Sequence, residues 1–158
     1  MNENNHLPVF GVEPYLIFSI MAITVLTITL SYYNIIPRYQ SNQIILNIIG
    51  AALILTGAIF WLSAVRNSKI DKNIKENRLV TSGIYGVVRH PIYAAFLYAV
   101  TGVIFIANNI ILLVMPVLYW LMLTVVMINT EEKWLVELYD DDYLNYSKKV
   151  NRFIPKVL

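Results

Sequence analysis

Two runs free of Asp, Glu, Lys and Arg, residues 15–33 and 44–65, open the chain, and a third such stretch fills residues 90–130. An α-helix needs about 20 residues to cross the hydrocarbon core of a bilayer. The first two runs therefore predict one spanning helix each, and the third holds two, over 92–107 and 110–128, joined by a tight turn at Asn108 and Asn109. The third span is short, which places its basic end close to the interface. Pro116 is expected to bend the fourth helix. Beyond it, Trp134, Leu135, Leu138, Tyr139, Tyr143, Tyr146 and Val150 recur at helical spacing, with Glu137, Asp141, Lys148 and Lys149 between them. That pattern predicts an amphipathic helix from Glu131 onward, ended by Pro155. The fold expected is an all-α, polytopic transmembrane helical bundle: about four spans in two hairpins and a cytoplasmic amphipathic C-terminal helix, forming one domain over residues 1–158.

Composition agrees with the pattern, since 58% of the residues are hydrophobic and 14% charged, against about a quarter charged in soluble domains. Of the twelve Lys and Arg residues, one (Arg38) lies between the first two spans, six between residues 66 and 90, and five after residue 128. Basic residues favour the cytoplasmic side, so segments 66–91 and 129–158 are read as cytoplasmic, with both termini inside a cell inner or plasma membrane. A net charge of +2 gives no reason to expect a nucleic-acid partner. The absence of cysteine excludes disulfides, thiolate metal sites and cysteine nucleophiles. The first 14 residues carry no Lys or Arg and do not read as a secretory signal.

Polar groups that could do chemistry gather in two stretches on the expected cytoplasmic face: LVTSGIYGVVRHPIY over residues 79–93 and EEKWLVELYDDDYLNY over 131–146. The first combines a Gly-containing turn, two tyrosines and an Arg-His pair, then starts a helix at Pro91, a residue suited to a first helical turn. Free N–H groups there could hold an anion.

These two stretches, with the closing RFIP at residues 152–155, resemble the isoprenylcysteine carboxyl methyltransferase family of membrane enzymes and the related phospholipid and thiol methyltransferases. The resemblance covers about the last half of the chain. It implies S-adenosylmethionine as methyl donor, S-adenosylhomocysteine as product, and a lipophilic or lipid-linked acceptor that enters from the bilayer lipids. Carried over residue by residue, it implies donor contacts from Leu79, Val80, Tyr85, His90, Pro91, Ile92, Tyr93 and Glu131, with Glu132 second to Glu131. Arg89 is the catalytic candidate by its own chemistry: beside His90, its charge could pair with the donor carboxylate or an anionic acceptor headgroup and so orient either. Family members that act on a prenylated carboxylate carry an arginine about one turn before the glutamate pair, where this chain has Met127 and Asn129. The glycine usual after the aromatic at Tyr139 is Asp140. Both departures point to another acceptor, such as a thiol, phenol, enol or amine.

Each feature also has a plainer explanation. Arg89 and His90 could simply mark the inner face, and Glu131 and Glu132 could sit at a helix N-terminus for its dipole. Tyr143 and Tyr146 read as interfacial packing, residues 140–142 as a solvated turn or helix face, and His6 has no partner in view. Two other functions fit parts of the pattern: a nicotinamide-dependent, sterol-reductase-like membrane enzyme, which shares an Arg-His-Pro-x-Tyr stretch, and a non-catalytic scaffold that binds lipid headgroups.

Overall fold

The computed structural model describes residues 13–66 and 79–156. His6 and the charged residues Lys69, Asp71, Lys72, Lys75, Glu76 and Arg78 of the expected inner loop lie outside the described residues. Five α-helices form there: α1 (Glu13–Tyr32), α2 (Gln43–Arg66), α3 (Pro91–Ala107), α4 (Val114–Asn129) and α5 (Glu131–Lys149), with 3-10 turns at Gly83–Gly86 and Ile110–Leu113. No strand occurs among the described residues. Helices Pro14–Tyr32, Gln43–Arg66 and Ile110–Asn129 are long and apolar enough to cross a bilayer, while α3 has 17 residues. The chain is an integral membrane protein.

Helix α3 is the hub of the bundle. It buries Tyr93, Ala94, Ala95, Leu97, Val100, Gly102 and Ile104, packs along α2 over most of its length, and touches α1 and α4 on its other sides. The close approach to α2 depends on glycine. A Cβ at Gly50 would lie 2.6 Å from the Gly102 carbonyl oxygen, and one at Gly57 would lie 2.5 Å from that of Ala95. In lipid, where apolar side chains gain little by leaving the solvent, such backbone proximity is a principal source of helix association. Polar pairs inside the bilayer add to it: the Thr24 and Tyr119 hydroxyls are 3.0 Å apart, and Asn109 donates to Ser31 Oγ at 2.8 Å.

The Asn108–Asn109 turn forms as expected. Asn108 takes the left-handed conformation, with φ 49° and ψ 54°, and Asn109 caps the following turn by accepting from the Ile111 amide. Asn108 also donates to Gln43 Oε1 at 2.6 Å and accepts from the Ser41 amide at 2.9 Å, tying the α1–α2 connection to the α3–α4 turn. That latch closes the end of the bundle away from the Arg-His pair.

Two expectations are corrected. Pro116 stands not within the fourth helix but at its start: α4 begins at Val114 and the proline occupies its first turn, where an amide has no intrahelical acceptor to lose. Pro155 does not end the last helix. The helix stops at Lys149, and Val150 is already extended, with φ −120° and ψ 132°.

Helix α5 is broken at Asp140, whose φ of 44° and ψ of −122° are not helical. Only glycine adopts that region without strain, which costs about 1–3 kcal/mol for other residues. Asp140→Gly is therefore expected to raise stability by about 1 kcal/mol, read as a higher unfolding midpoint in detergent. An unchanged or lower midpoint would show that the Asp140 side chain offsets the strain.

Candidate active site at the start of α3

The site is assembled from the loop before α3, the first turn of α5 and the segment after α5. Gly83, with φ 64°, opens the turn Gly83–Gly86, and Ile84 and Val88 bury themselves beneath it. The chain then bends into α3, and its backbone pairs with the C-terminal segment: the Arg89 amide donates to the Asn151 carbonyl at 2.8 Å and the His90 amide to the Arg152 carbonyl at 3.0 Å. This pairing is why the last helix ends at Lys149. Pro91 sets the first turn of α3 with no amide to satisfy, and Tyr93 projects from that turn.

Glu132 is the centre of the side-chain network and is buried. Its Oε1 accepts from Arg152 Nε at 2.8 Å and faces Arg89 Nη1 at 3.2 Å and His90 Nε2 at 3.3 Å, while its Oε2 accepts from Arg152 Nη2 at 2.7 Å. Glu131, half-buried, lies on the other side of the imidazole. Its Oε2 is 3.6 Å from His90 Nδ1, and its Oε1 accepts a short hydrogen bond from the Tyr93 hydroxyl. Both ring nitrogens of His90 thus face carboxylates, an arrangement that the doubly protonated imidazolium satisfies. Arg89 Nη1 also donates to the Tyr143 hydroxyl at 3.1 Å, and the Tyr146 hydroxyl donates to the Tyr85 carbonyl.

The environment separates the titrations. Burial alone would raise the Glu132 carboxyl, but hydrogen bonds from His90 and Arg152 and the charges of Arg89 and Arg152 outweigh it and hold the group at about 2. Burial alone would lower His90, yet its bonds and charge interactions with Glu131 and Glu132 bring it above its usual 6.5. Burial pushes the Tyr146 hydroxyl up to about 12 and Tyr143 higher still, so both remain protonated donors. Glu132 stabilises the fold above its ordinary 4.5, and that contribution is lost as pH falls toward about 2. The His90 contribution is complete below 6.5 and is lost as pH rises through its raised value. The unfolding midpoint measured against pH is thus expected to be highest between 4.5 and 6.5 and to fall on both sides. In Glu132→Gln the acid limb should flatten; an unchanged acid limb would assign acid sensitivity to other carboxyls.

The structure brings Arg89, His90, Tyr93, Glu131 and Glu132 into one cluster. Arg89 and Arg152 balance the two carboxylates, and a protonated His90 leaves one positive charge in excess. Arg89 Nε is buried and has no hydrogen-bond partner among the described residues. Leu79 lines a cleft of about 760 Å³ together with Thr81, Gly86, Tyr139, Tyr146 and Lys149, so Tyr146 joins the cleft to the assembly. That volume falls within the roughly 300–1,000 Å³ of small-molecule sites. Val80 and Ile92 are half-buried and apolar, Pro91 acts through the helix start, and Tyr85 offers its backbone carbonyl to Tyr146.

Sequence reasoning missed three members of this assembly. Tyr143 and Tyr146 are buried against Arg89 and the loop, and their hydroxyls bond into the assembly. Their i, i+3 spacing was the available signal. Arg152 was visible within the closing RFIP but had no role attached to it.

The family model for phospholipid methyltransferases matches residues 45–142, from the start of α2 to the second half of α5. The chain belongs to the phospholipid methyltransferase family. Protein-S-isoprenylcysteine O-methyltransferase of Schizosaccharomyces pombe is similar to it, 37% identical over 88 residues that make up 55% of this chain and 37% of the yeast protein. Methanethiol S-methyltransferase 1 of Bradyrhizobium diazoefficiens is 31% identical over 98 residues, 61% of this chain and 33% of that enzyme. The cobalt-zinc-cadmium resistance protein CzcN of Cupriavidus metallidurans is 24% identical over 112 residues, 71% of this chain and 49% of the relative. This phospholipid methyltransferase family member thus spans only a third to a half of the length of these relatives. The Arg89–His90–Tyr93 and Glu131–Glu132 groups fall within the family match, whereas Tyr143, Tyr146 and Arg152 lie beyond it.

Proposed function

We propose that this protein transfers a methyl group from S-adenosylmethionine to a lipophilic, membrane-soluble acceptor, with its site facing the cytoplasm. Family membership supports the reaction class. The observation that carries the assignment to this site is the buried network at the inner ends of α3 and α4, where five ionisable groups converge beside apolar spans. The donor fits these groups. Its carboxylate suits a cluster that carries excess positive charge when His90 is protonated, and its ammonium and ribose hydroxyls suit the half-buried Glu131. His90, Tyr93 and Glu131 would hold it, with Tyr85 and the apolar Leu79, Val80, Pro91 and Ile92 around them, Glu132 behind His90, and Arg89 orienting donor or acceptor.

When bound, the donor supplies an electrophilic methyl group on a sulfonium. The protein contributes position and dryness: displacement in line needs two reactants aligned where water is excluded. Ordered charges whose partners are already in place require no rearrangement at the moment of transfer. The positive-inside distribution supports a cytoplasmic site.

For the acceptor, Met127 is fully buried in the core and Asn129 is exposed with its amide bonded to the Val125 carbonyl. Neither provides a cation for a prenylated carboxylate, which favours a lipophilic thiol, phenol, enol or amine. The test is incubation of the purified protein with methyl-labelled S-adenosylmethionine and membrane lipid extract, alongside titrations with S-adenosylhomocysteine and NADPH. A labelled lipid-phase product is expected. Binding of NADPH without either adenosyl compound would overturn the reading in favour of a reductase.

A further inference from the structure

Arg152 is half-buried, and its guanidinium meets Glu132 as a two-pronged fork at 2.8 and 2.7 Å. This geometry restrains a carboxylate in angle as well as distance, which a single ammonium cannot do. The fork is itself anchored. The Asn151 and Arg152 carbonyls receive the Arg89 and His90 amides, and the Phe153 ring, buried, lies 6.0 Å from the imidazole. The segment after α5 therefore touches both the backbone of the Arg-His pair and the carboxylate that binds their side chains. We propose that Arg152 is a positioning residue: by gripping both oxygens of Glu132 it fixes where that carboxylate meets His90 Nε2 and Arg89 Nη1, and so orients the two groups that line the donor site.

Arg152 acts at one remove, through Glu132. The consequence for the donor rests on the methyltransferase reading, whereas the consequence for the imidazole does not. The charged and titratable groups facing His90 are Glu131 and Glu132 from α5, Tyr93 from α3, Arg89 beside it, and Arg152 behind Glu132. This set makes the direction of the effect diagnostic. Removing a nearby cation would by itself raise the His90 titration point, since like charge disfavours the imidazolium. Releasing Glu132 from its place would lower it, because His90 loses an anionic partner.

The experiment is a ring-resonance titration by NMR of the full chain in detergent, where the two histidines, His6 and His90, give an internal reference and a probe. It compares wild type, Arg152→Gln, Arg152→Lys, Glu132→Gln and the Arg152→Gln/Glu132→Gln double variant. Arg152→Gln is expected to lower the His90 titration point toward that of Glu132→Gln, with Arg152→Lys between Arg152→Gln and wild type and His6 unmoved. A rise or no change in Arg152→Gln overturns the proposal. If that variant does not fold, Arg152→Lys decides in the same way, since it keeps the charge and loses the fork.

Calorimetric titration with S-adenosylhomocysteine supplies the second readout. Arg152→Gln should bind about tenfold more weakly, the scale of one charged hydrogen bond, and the double variant no more weakly than Glu132→Gln alone. An equal further loss in the Glu132→Gln background would place Arg152 on the ligand and refute action through Glu132. If wild type binds no S-adenosylhomocysteine while His90 behaves as expected, the donor reading falls and the positioning role stands.

Discussion

Glu132→Ala is expected to lower the stability of the bundle by about 3–5 kcal/mol, the cost of leaving buried charges without their partner. Arg89, His90 and Arg152 all direct hydrogen-bonding atoms at this one carboxylate within 2.7–3.3 Å. Its removal leaves like charges facing one another in a space that water reaches poorly. Glu131→Ala provides the contrast. Glu131 is half-buried and, among the described residues, meets Tyr93 and, at 3.6 Å, His90, so its loss should cost about 1 kcal/mol. The two neighbours should therefore separate in stability: the unfolding midpoint should fall much further in Glu132→Ala than in Glu131→Ala, while both variants lose affinity for S-adenosylhomocysteine. Midpoints that fall equally in both variants would contradict a single central carboxylate.

The same pair shows where reading the chain alone reaches its limit. Successive residues on a helix point about 100° apart, so one of two adjacent glutamates must face the bundle and the other its edge. Which is which depends on how α5 docks, and that is set by Tyr143 and Tyr146 on the far side of the break at Asp140. A left-handed backbone at an aspartate leaves no mark in hydrophobic periodicity, so the helix reads as continuous. Arg152 escaped notice for a related reason, because its role comes from backbone pairing between segments far apart in the chain. What local chemistry does determine was readable: uncharged runs of spanning length, an asparagine pair that must turn, and a proline at a helix start. Periodicity alone starts the fourth helix at Ile110, but the first four residues form the 3-10 turn Ile110–Leu113, which brings the start of α4 to within two residues of Pro116.

Gly57→Leu is expected to push α2 off α3, with a cost at the upper end of about 1–3 kcal/mol for overpacking. Even a Cβ at this position would sit 2.5 Å from the Ala95 carbonyl oxygen and 3.2 Å from the Ala99 amide nitrogen. These are backbone atoms of a packed helix and cannot rotate away as a flexible side chain would, so the helices must separate. Ile59→Leu, on the exposed face of α2, should leave the midpoint within about 0.5 kcal/mol of wild type. The absence of cysteine allows two introduced cysteines, one on each helix, to carry spin labels without background. Their separation should increase in Gly57→Leu and stay constant in Ile59→Leu. Because α3 also begins the site at Pro91, displacement of its main partner should weaken S-adenosylhomocysteine binding although Gly57 touches none of the site residues. A longer label distance with undiminished binding would show that the His90 end of α3 is held by α5 and the C-terminal segment rather than by α2.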